Sequence, residues 1–166
     1  MIMIPTVYLG GNALLGKKYL GFFCGAEQII MESAIQLAVN GTLMRGLELN
    51  PNLLEVGATF LYETSTNPFY RLYSIGDVHP GMIRVDPASD LGVGAAISVE
   101  VWSVPASGIA VVLMREPPGL CIGKIGLANG ETVLGVLAEP MLCQGQREIT
   151  EYGGWRAYRR EAHGDR

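Results

Sequence analysis

The sequence predicts an α+β fold, in which a small, mostly antiparallel β-barrel or curved sheet carries two or three short helices. Between residues 34 and 150, most segments are short runs of β-forming residues separated by turn residues. The chain has 22 glycines, and a sheet that curls on itself needs glycine at its corners. Its 166 residues, 49% of them hydrophobic, suffice for one globular domain with its own core.

The predicted strands follow one another from residue 34 onward. The clearest alternation lies in residues 94–104, where Val99 and Val101 share one face and Glu100 lies on the other. Asn129-Gly130 is the strongest hairpin signal in the chain and joins the last two predicted strands. The segments expected to form strands are residues 34–39, 58–65, 69–75, 80–86, 94–104, 120–128 and 131–139.

Cap and turn residues predict the helices. Asn50-Pro51 begins a short helix, which ends at Gly57. A second helix is expected over residues 105–116. After Thr150, a helical turn is interrupted by Gly153-Gly154 and then followed by a basic C-terminal helix.

These segments predict one folded domain over residues 34–162, followed by a tail at residues 163–166. Residues 1–33 differ from the rest, because the first 30 of them are Gly-rich, weakly patterned and nearly uncharged. We expect them to be an N-terminal extension.

Composition excludes several classes of protein. A net charge of −4 provides no basic surface for nucleic acid, and no apolar run approaches the roughly 20 residues that a membrane span needs. The three cysteines are widely spaced without a CxxC pair, and there are two histidines. We therefore expect no metal, no other cofactor, and reduced thiols in a cytoplasmic protein.

The stretch VNGTLMRGLELN, residues 39–50, leaves a hydrophobic strand through a glycine and a hydroxyl residue. Consecutive N–H groups around a glycine can form a nest for an anion. Gly41 would let the backbone approach a ligand, and Thr42 would add a hydroxyl donor. The alternative is a plain turn that ends the strand. The candidate substrate-binding residues here are Asn40, Gly41, Thr42, Leu43 and Met44.

Several motifs occur in a recognisable order along the chain. After the loop at residues 40–43 come GLELN (46–50), YRLYSI followed by PGMIRV (70–85), VEVWSVP (99–105) and YGGWRAY (152–158). Together they resemble the C-terminal domain of allophanate hydrolase. That domain is a branch of the γ-glutamyl cyclotransferase-like superfamily, whose first strand ends in a Tyr-Gly-Ser-Leu type loop. The resemblance covers roughly residues 35 to 160.

This resemblance implies a γ-glutamyl cyclotransferase-like fold with a pocket at the mouth of the barrel, where the amides of the first loop bind a carboxylate or a similar group. It also implies a stand-alone copy, because the amidase part of allophanate hydrolase and its serine–lysine machinery are absent from the sequence. The expected ligand is a small carboxylated molecule of urea and nitrogen catabolism. The expected protein partner is a second copy of the chain, as a homodimer, or a separate amidase.

The superfamily's active enzymes use one carboxylate to take a proton from the substrate amine and deliver it to the leaving group. Glu116 is the candidate for that role here, and its alternative is a solvated charge paired with Arg115. Glu100 is a second choice, although it can equally be an outward strand residue. In allophanate hydrolases, the C-terminal domain is linked to removal of a carboxyl group from the product of the amidase domain. These proteins often carry a histidine where this chain has Leu43. A leucine side chain cannot transfer a proton.

Arg71 is a candidate partner for a substrate carboxylate, and its alternative is an arginine on a strand face. Other prominent residues are expected to be structural. They are Arg45 on the surface, Trp155 and Tyr158 as an apolar plug at one end of the barrel, His79 in a turn, and Arg156, Arg159 and Arg160 on a solvated helix face.

Two functions stay open at this point. The first is an enzyme that binds or processes a small carboxylated amide or ureido compound in a pocket built on residues 40–45, by carboxycarbamate decarboxylation or by cyclotransferase-type chemistry. The second is a non-catalytic module of the same fold that serves ligand binding or assembly.

Overall fold

The computed structural model describes residues 33–88 and 93–164, except for the side chain of His163. Apart from Ser33, the predicted N-terminal extension lies outside these residues. The strands are β1 (Ala34–Val39), β2 (Thr59–Ser65), β3 (Tyr70–Ile75), β4 (His79–Arg84), β5 (Ser98–Pro105), β6 (Leu120–Gly126), β7 (Thr132–Ala138) and β8 (Arg147–Glu148). The helices are α1 (Asn50–Glu55), α2 (Ala106–Arg115), α3 (Pro140–Cys143) and α4 (Trp155–His163).

The strands form one sheet of five strands, in the order β2-β5-β1-β7-β6, and one of three strands, in the order β4-β3-β8. Strand β1 is antiparallel to β5 and parallel to β7. The prediction of an α+β fold with a curved sheet is confirmed, but the closed barrel is wrong. Strands β2 and β6 form the two edges of the larger sheet and do not pair with each other. Only an isolated bridge between Thr66 and Leu127, just after the ends of these strands, connects them among the described residues.

The local signals located most elements correctly. The hairpin predicted at Asn129-Gly130 joins β6 to β7, and Gly57, with φ of 77°, follows the end of α1. The described residues contain four α-helices instead of the predicted two or three short helices, because a single turn at Pro140–Cys143 also qualifies. The helical turn expected after Thr150 is present as a 3-10 helix at Thr150–Tyr152. Helix α3 and the two-residue strand β8 carry no periodic pattern from which they could have been predicted.

Hydrophobic residues pack against both faces of the larger sheet. Strand β1 illustrates this, since Ala38 belongs to one buried cluster while Leu37 and Val39 belong to another. Trp155 and Tyr158 of α4 are at most 1% exposed and complete the first cluster. They have the predicted core role, although they pack against an open sheet instead of plugging a barrel.

Among the described helices, none combines the length and the apolar character that a transmembrane segment would require.

Candidate functional site

The loop that follows β1 is buried in the protein. Residues 40–43 all lie in the interior, which is unusual for a connection between secondary-structure elements. The amide of Met44 donates to the carbonyl of Gly41 at 2.9 Å, and the amide of Leu49 donates to the carbonyl of Thr42 at 3.0 Å. These two bonds close the loop into a compact turn, with Met44 buried in the core beneath it.

Two asparagine side chains fix the loop to its surroundings. The Nδ2 atom of Asn40 donates to the carbonyl of Val136 on β7 at 3.0 Å. The Nδ2 atom of Asn50 on α1 donates to the carbonyl of Leu43 at 2.9 Å. These two hydrogen bonds hold the loop against β7 and α1.

The amide N–H groups of Gly41, Thr42 and Leu43 have no hydrogen-bond partner within residues 33–88 and 93–164. Buried N–H groups are almost always paired in native proteins. The hydroxyl of Thr42 also makes no hydrogen bond within this part of the chain. Adjacent unpaired N–H groups of this kind suit an anion such as a carboxylate.

A narrow pocket, here called the inner pocket, opens onto this loop. Its volume of about 20 Å³ is enough for one water molecule or a ligand group of similar size. Residues 39–43, Pro80 of β4 and Val136 of β7 form most of its wall, which His79, Glu116 and Leu120 complete.

Glu116, which follows α2, is the predicted catalytic carboxylate and lies in this pocket. Its Oε1 atom is buried and has no hydrogen-bond partner among the residues that the structure describes. Burial raises the pKa of the Glu116 carboxyl above its ordinary value, because the charged form loses water. Arg115, which the alternative interpretation paired with Glu116, instead contacts Glu55 at 2.7 Å.

A wider cavity, here called the outer chamber, adjoins the inner pocket. Its volume is about 310 Å³, and Thr42, His79 and Glu116 line both spaces. Its other lining residues are Glu48, Leu49, Asp77, Val78, Pro117 and Arg159.

His79 is a site residue that the sequence-based interpretation placed in a turn. It is instead the first residue of β4, where pairing with β3 aligns it with Ile75 and directs it to the cavity. Its Nδ1 atom lies 3.2 Å from the carbonyl oxygen of Pro80. When Nδ1 donates there, Nε2 is free to accept a proton. Its rarity, as one of two histidines, is the signal that could have identified it.

The structure does not bring Arg71 to this cavity. Arg71 lies on β3, and its guanidinium contacts Glu148 of the neighbouring strand β8 at 3.2 Å. Within the described part of the chain, no three histidine, cysteine, aspartate or glutamate side chains are close enough to hold a metal ion.

Glu100 is fully buried and is not the outward strand residue considered as its alternative. It accepts hydrogen bonds from the amide of Arg45 at 2.9 Å and from the indole of Trp102 at 3.1 Å. The guanidinium of Arg156 on α4 lies 2.9 Å from the same carboxylate. Arg156 also donates to the carbonyl of Arg45. The carboxylate therefore holds the end of the loop, and Arg156 does not lie on a solvated face.

Gly41 is required where the loop approaches β4. A Cβ atom at this position would lie 2.4 Å from Cγ and 2.6 Å from Cδ of Pro80, and a proline ring cannot move aside as a flexible side chain does. We expect Gly41→Ala to lower the free energy of unfolding by about 1–3 kcal/mol through this overlap. Urea denaturation would measure the change.

The matched control for that substitution is the double variant Gly41→Ala/Pro80→Ala, which removes the overlapping ring atoms. Its free energy of unfolding should exceed the value expected from adding the two single changes. Simple additivity of the two effects would contradict the predicted close contact.

Comparison with known proteins provides relatives for this domain. The family model of the allophanate hydrolase C-terminal domain matches residues 35–160. The urea amidolyase of Saccharomyces cerevisiae is 36% identical over 132 residues, which cover 76% of this chain and 7% of that protein. The chain thus spans about 7% of the length of the curated relatives it matches.

Solved structures share the fold. A uropathogenic E. coli-specific protein is 55% identical, with a TM-score of 0.73 over 79% of this chain and 98% of that chain. Allophanate hydrolase from Kluyveromyces lactis is 33% identical, with a TM-score of 0.71 over 79% of this chain and 22% of that chain. The predicted γ-glutamyl cyclotransferase-like fold is confirmed, in the form of an open curved sheet.

Proposed function

The chain belongs to the family of allophanate hydrolase C-terminal domains, and from this premise we propose that it binds and processes a small carboxylated amide or ureido compound at residues 40–45. Its relatives include an allophanate hydrolase and urea amidolyases, which supports a substrate related to urea catabolism. The observation that carries the proposal is the meeting of two features in one cavity. Buried amides of residues 41–43, which have no partner among the described residues, lie there together with a buried carboxyl group, Glu116.

The amides would bind the substrate, and the carboxyl group would transfer a proton. The loop would hold a carboxylate of the substrate through the N–H groups of Gly41, Thr42 and Leu43. Because burial raises the pKa of Glu116, this group retains a proton to a higher pH than an exposed glutamate and is suited to deliver it. His79 would supply a second proton carrier in the same cavity, which Leu43 cannot provide.

For a carboxycarbamate, the proposed step breaks one carbon–nitrogen bond. One carboxyl group leaves as carbon dioxide, and the bonding electron pair stays on nitrogen. The nitrogen takes up one proton, from Glu116 or through His79, and carbamate is the product. In cyclotransferase-type chemistry the same carboxyl group would instead move a proton from the substrate amine to the leaving group.

The test measures both reactions with the purified protein. Carboxycarbamate would be generated in the assay from allophanate by a separate amidase, and carbon dioxide release would be followed; γ-glutamyl amines would be tested for a cyclised product. We expect faster carbon dioxide release with wild-type protein than with Gly41→Ala, whose loop is displaced. The proposal would be excluded if the protein accelerated neither reaction and small carboxylates did not raise its melting temperature.

One observation favours the second candidate, a non-catalytic binding module. Leu43 is 3% exposed and packs in the hydrophobic core, so the position where relatives often carry a histidine offers no proton-transfer group. Stabilisation by carboxylates without turnover of either substrate class would support this binding role and exclude the enzyme.

A further inference from the structure

The candidate carboxylate site brings two acidic groups into one small space, the carboxylate of the ligand and that of Glu116. We propose, on the basis of the function proposed above, that this site binds a carboxylate only together with a proton from solvent. Glu116 takes up that proton, and its carboxyl group then donates a hydrogen bond to the bound carboxylate. Carboxylate binding is therefore regulated by pH and weakens as the pH rises.

The size of the inner pocket forces the two groups together. Its volume is about 20 Å³, and residues 39–43 and Glu116 are all part of its wall. A pocket of this volume holds one group the size of a water molecule, so a carboxylate bound to the amides of residues 41–43 leaves no room for water inside it. Two ionised carboxylates in such a site repel each other, and one of them then retains a proton.

Glu116 is the group that takes the proton, because nothing around it supports its charge. Its Oε1 atom is buried, and its carboxylate makes no hydrogen bond or ion pair within the described part of the chain. The carboxylate of the ligand, in contrast, would meet the N–H groups of residues 41–43, which favour its charged form. Burial already raises the pKa of the Glu116 carboxyl, and a neighbouring anion raises it further.

Other titratable side chains lie beside Glu116 or line the same cavities. They are Glu48, Asp77, His79, Arg115 and Arg159. Glu48 and Asp77 are acidic, so their charges also oppose an ionised Glu116. Among the described residues, neither arginine forms an ion pair with Glu116, and the guanidinium of Arg115 contacts Glu55 at 2.7 Å. His79 is the other group in the inner pocket that can take up a proton.

Calorimetric titration with formate at a series of pH values tests the proposal. Formate is small enough for the inner pocket and is a stronger acid than acetate, so it stays ionised while Glu116 titrates. We expect the affinity of wild-type protein to fall by up to about tenfold per pH unit wherever binding takes up about one proton. Titrations in two buffers with different ionisation enthalpies give the number of protons, because the buffer supplies them.

Glu116→Gln removes the group that is proposed to take up the proton. Glutamine has nearly the same shape, is neutral at every pH, and donates a hydrogen bond from its amide. Formate binding to this variant should take up no proton, and its affinity should stay constant to within about twofold over the same pH range. At alkaline pH the variant should therefore bind formate more tightly than wild-type protein, a gain that damage to the site cannot produce.

His79→Gln is the matched control, because His79 lines the same two cavities and also titrates. Proton uptake on formate binding should persist in this variant. Uptake that disappears with His79→Gln and persists with Glu116→Gln would assign the proton to His79 and overturn the inference.

Failure of the inference and failure of the proposed function give different results. If wild-type protein binds formate with the same affinity at every pH and without proton uptake, the inference is wrong and the carboxylate site stands. If formate binds at no pH, the carboxylate site itself is absent, and both proposals fail.

Discussion

Replacing Glu116 by glutamine is expected to lower kcat by about 10²–10⁴-fold, the usual contribution of a positioned acid–base group. Glutamine has nearly the same shape and occupies the same part of the inner pocket, but it carries no transferable proton. Because binding at the loop amides does not need that proton, affinity for a small carboxylate should be retained. Steady-state kinetics and calorimetry on the same preparation would measure the two quantities separately.

The same substitution should not destabilise the protein at neutral pH. Burial raises the pKa of Glu116 in the folded state above its unfolded value. The group therefore favours folding below the unfolded pKa, and this contribution is lost as pH rises through the folded pKa. At a pH above the folded pKa the charged carboxylate opposes folding, so a neutral glutamine should raise the melting temperature slightly there. Lower activity combined with equal or higher stability is a result that general misfolding cannot produce.

Glu151→Gln is the matched control for Glu116→Gln. It removes the same charge from an exposed position, so kcat and melting temperature should both stay close to those of wild-type protein. A loss of turnover in this control similar to that of Glu116→Gln would mean that net charge, and not proton transfer at Glu116, sets the rate.

The parts of the fold that depend on neighbouring residues could be predicted from the sequence. The Asn129-Gly130 turn and the alternating residues before Pro105 act locally, and both elements formed where expected. Barrel closure could not be predicted in this way, because it depends on whether two distant edge strands, β2 and β6, meet. Composition was consistent with closure, but glycine content does not determine the relative position of edges.

The candidate site likewise contains residues that could be predicted from local sequence and residues that could not. The loop at residues 40–43 was predicted from the chemistry of a short segment, and Glu116 from the resemblance to the superfamily. The structure places both in one cavity. His79 and Arg159 were assigned to a turn and a solvated helix face. Their position depends on β4 pairing with β3 and on α4 packing beside the loop. Those contacts link residues far apart in sequence, for which a single chain offers no periodic signal.

Glu100 shows why alternation alone can mislead. The period-two pattern predicted for residues 94–104 correctly separated two faces. Glu100, on the polar face, was interpreted as an outward residue or as a second candidate for the acid. However, β5 lies inside the sheet between β2 and β1. Trp102, on the same face as Glu100, belongs to the second hydrophobic cluster. A charged residue on such a face must be paired, and its arginine partners come from positions 45 and 156.

Replacing Glu100 by alanine is expected to lower the free energy of unfolding by about 3–5 kcal/mol, the range for breaking a buried ion pair from one side. The carboxylate is 0% exposed. Its removal leaves the amide of Arg45 and the indole of Trp102 without their acceptor and takes the nearest carboxylate away from the guanidinium of Arg156. Urea unfolding at neutral pH would measure the loss.

The pH dependence of wild-type stability provides an independent check. Burial raises the pKa of Glu100, but hydrogen bonds from Arg45, Arg156 and Trp102 and the charge of Arg156 lower it more, so the net shift is downward. A carboxyl with a lowered folded pKa stabilises the protein above its unfolded pKa, and this contribution is lost as pH falls through the folded value. The stability gap between wild-type protein and Glu100→Gln should therefore narrow below about pH 4.3, the ordinary glutamate pKa.

Glu63→Gln is the control that tests whether burial, and not merely contact with arginine, makes Glu100 important. Glu63 contacts the same two guanidinium groups, those of Arg45 and Arg156, but its side chain is 57% exposed. Water and salt screen such a pair, so its loss should change stability by at most about 1 kcal/mol. Glu100 also accepts a hydrogen bond from the amide of Arg45, at the end of the loop of residues 40–45. Glu100→Gln should therefore weaken acetate binding, whereas Glu63→Gln should not. Equal effects of the two variants on stability and on binding would show that the buried carboxylate does not position the loop.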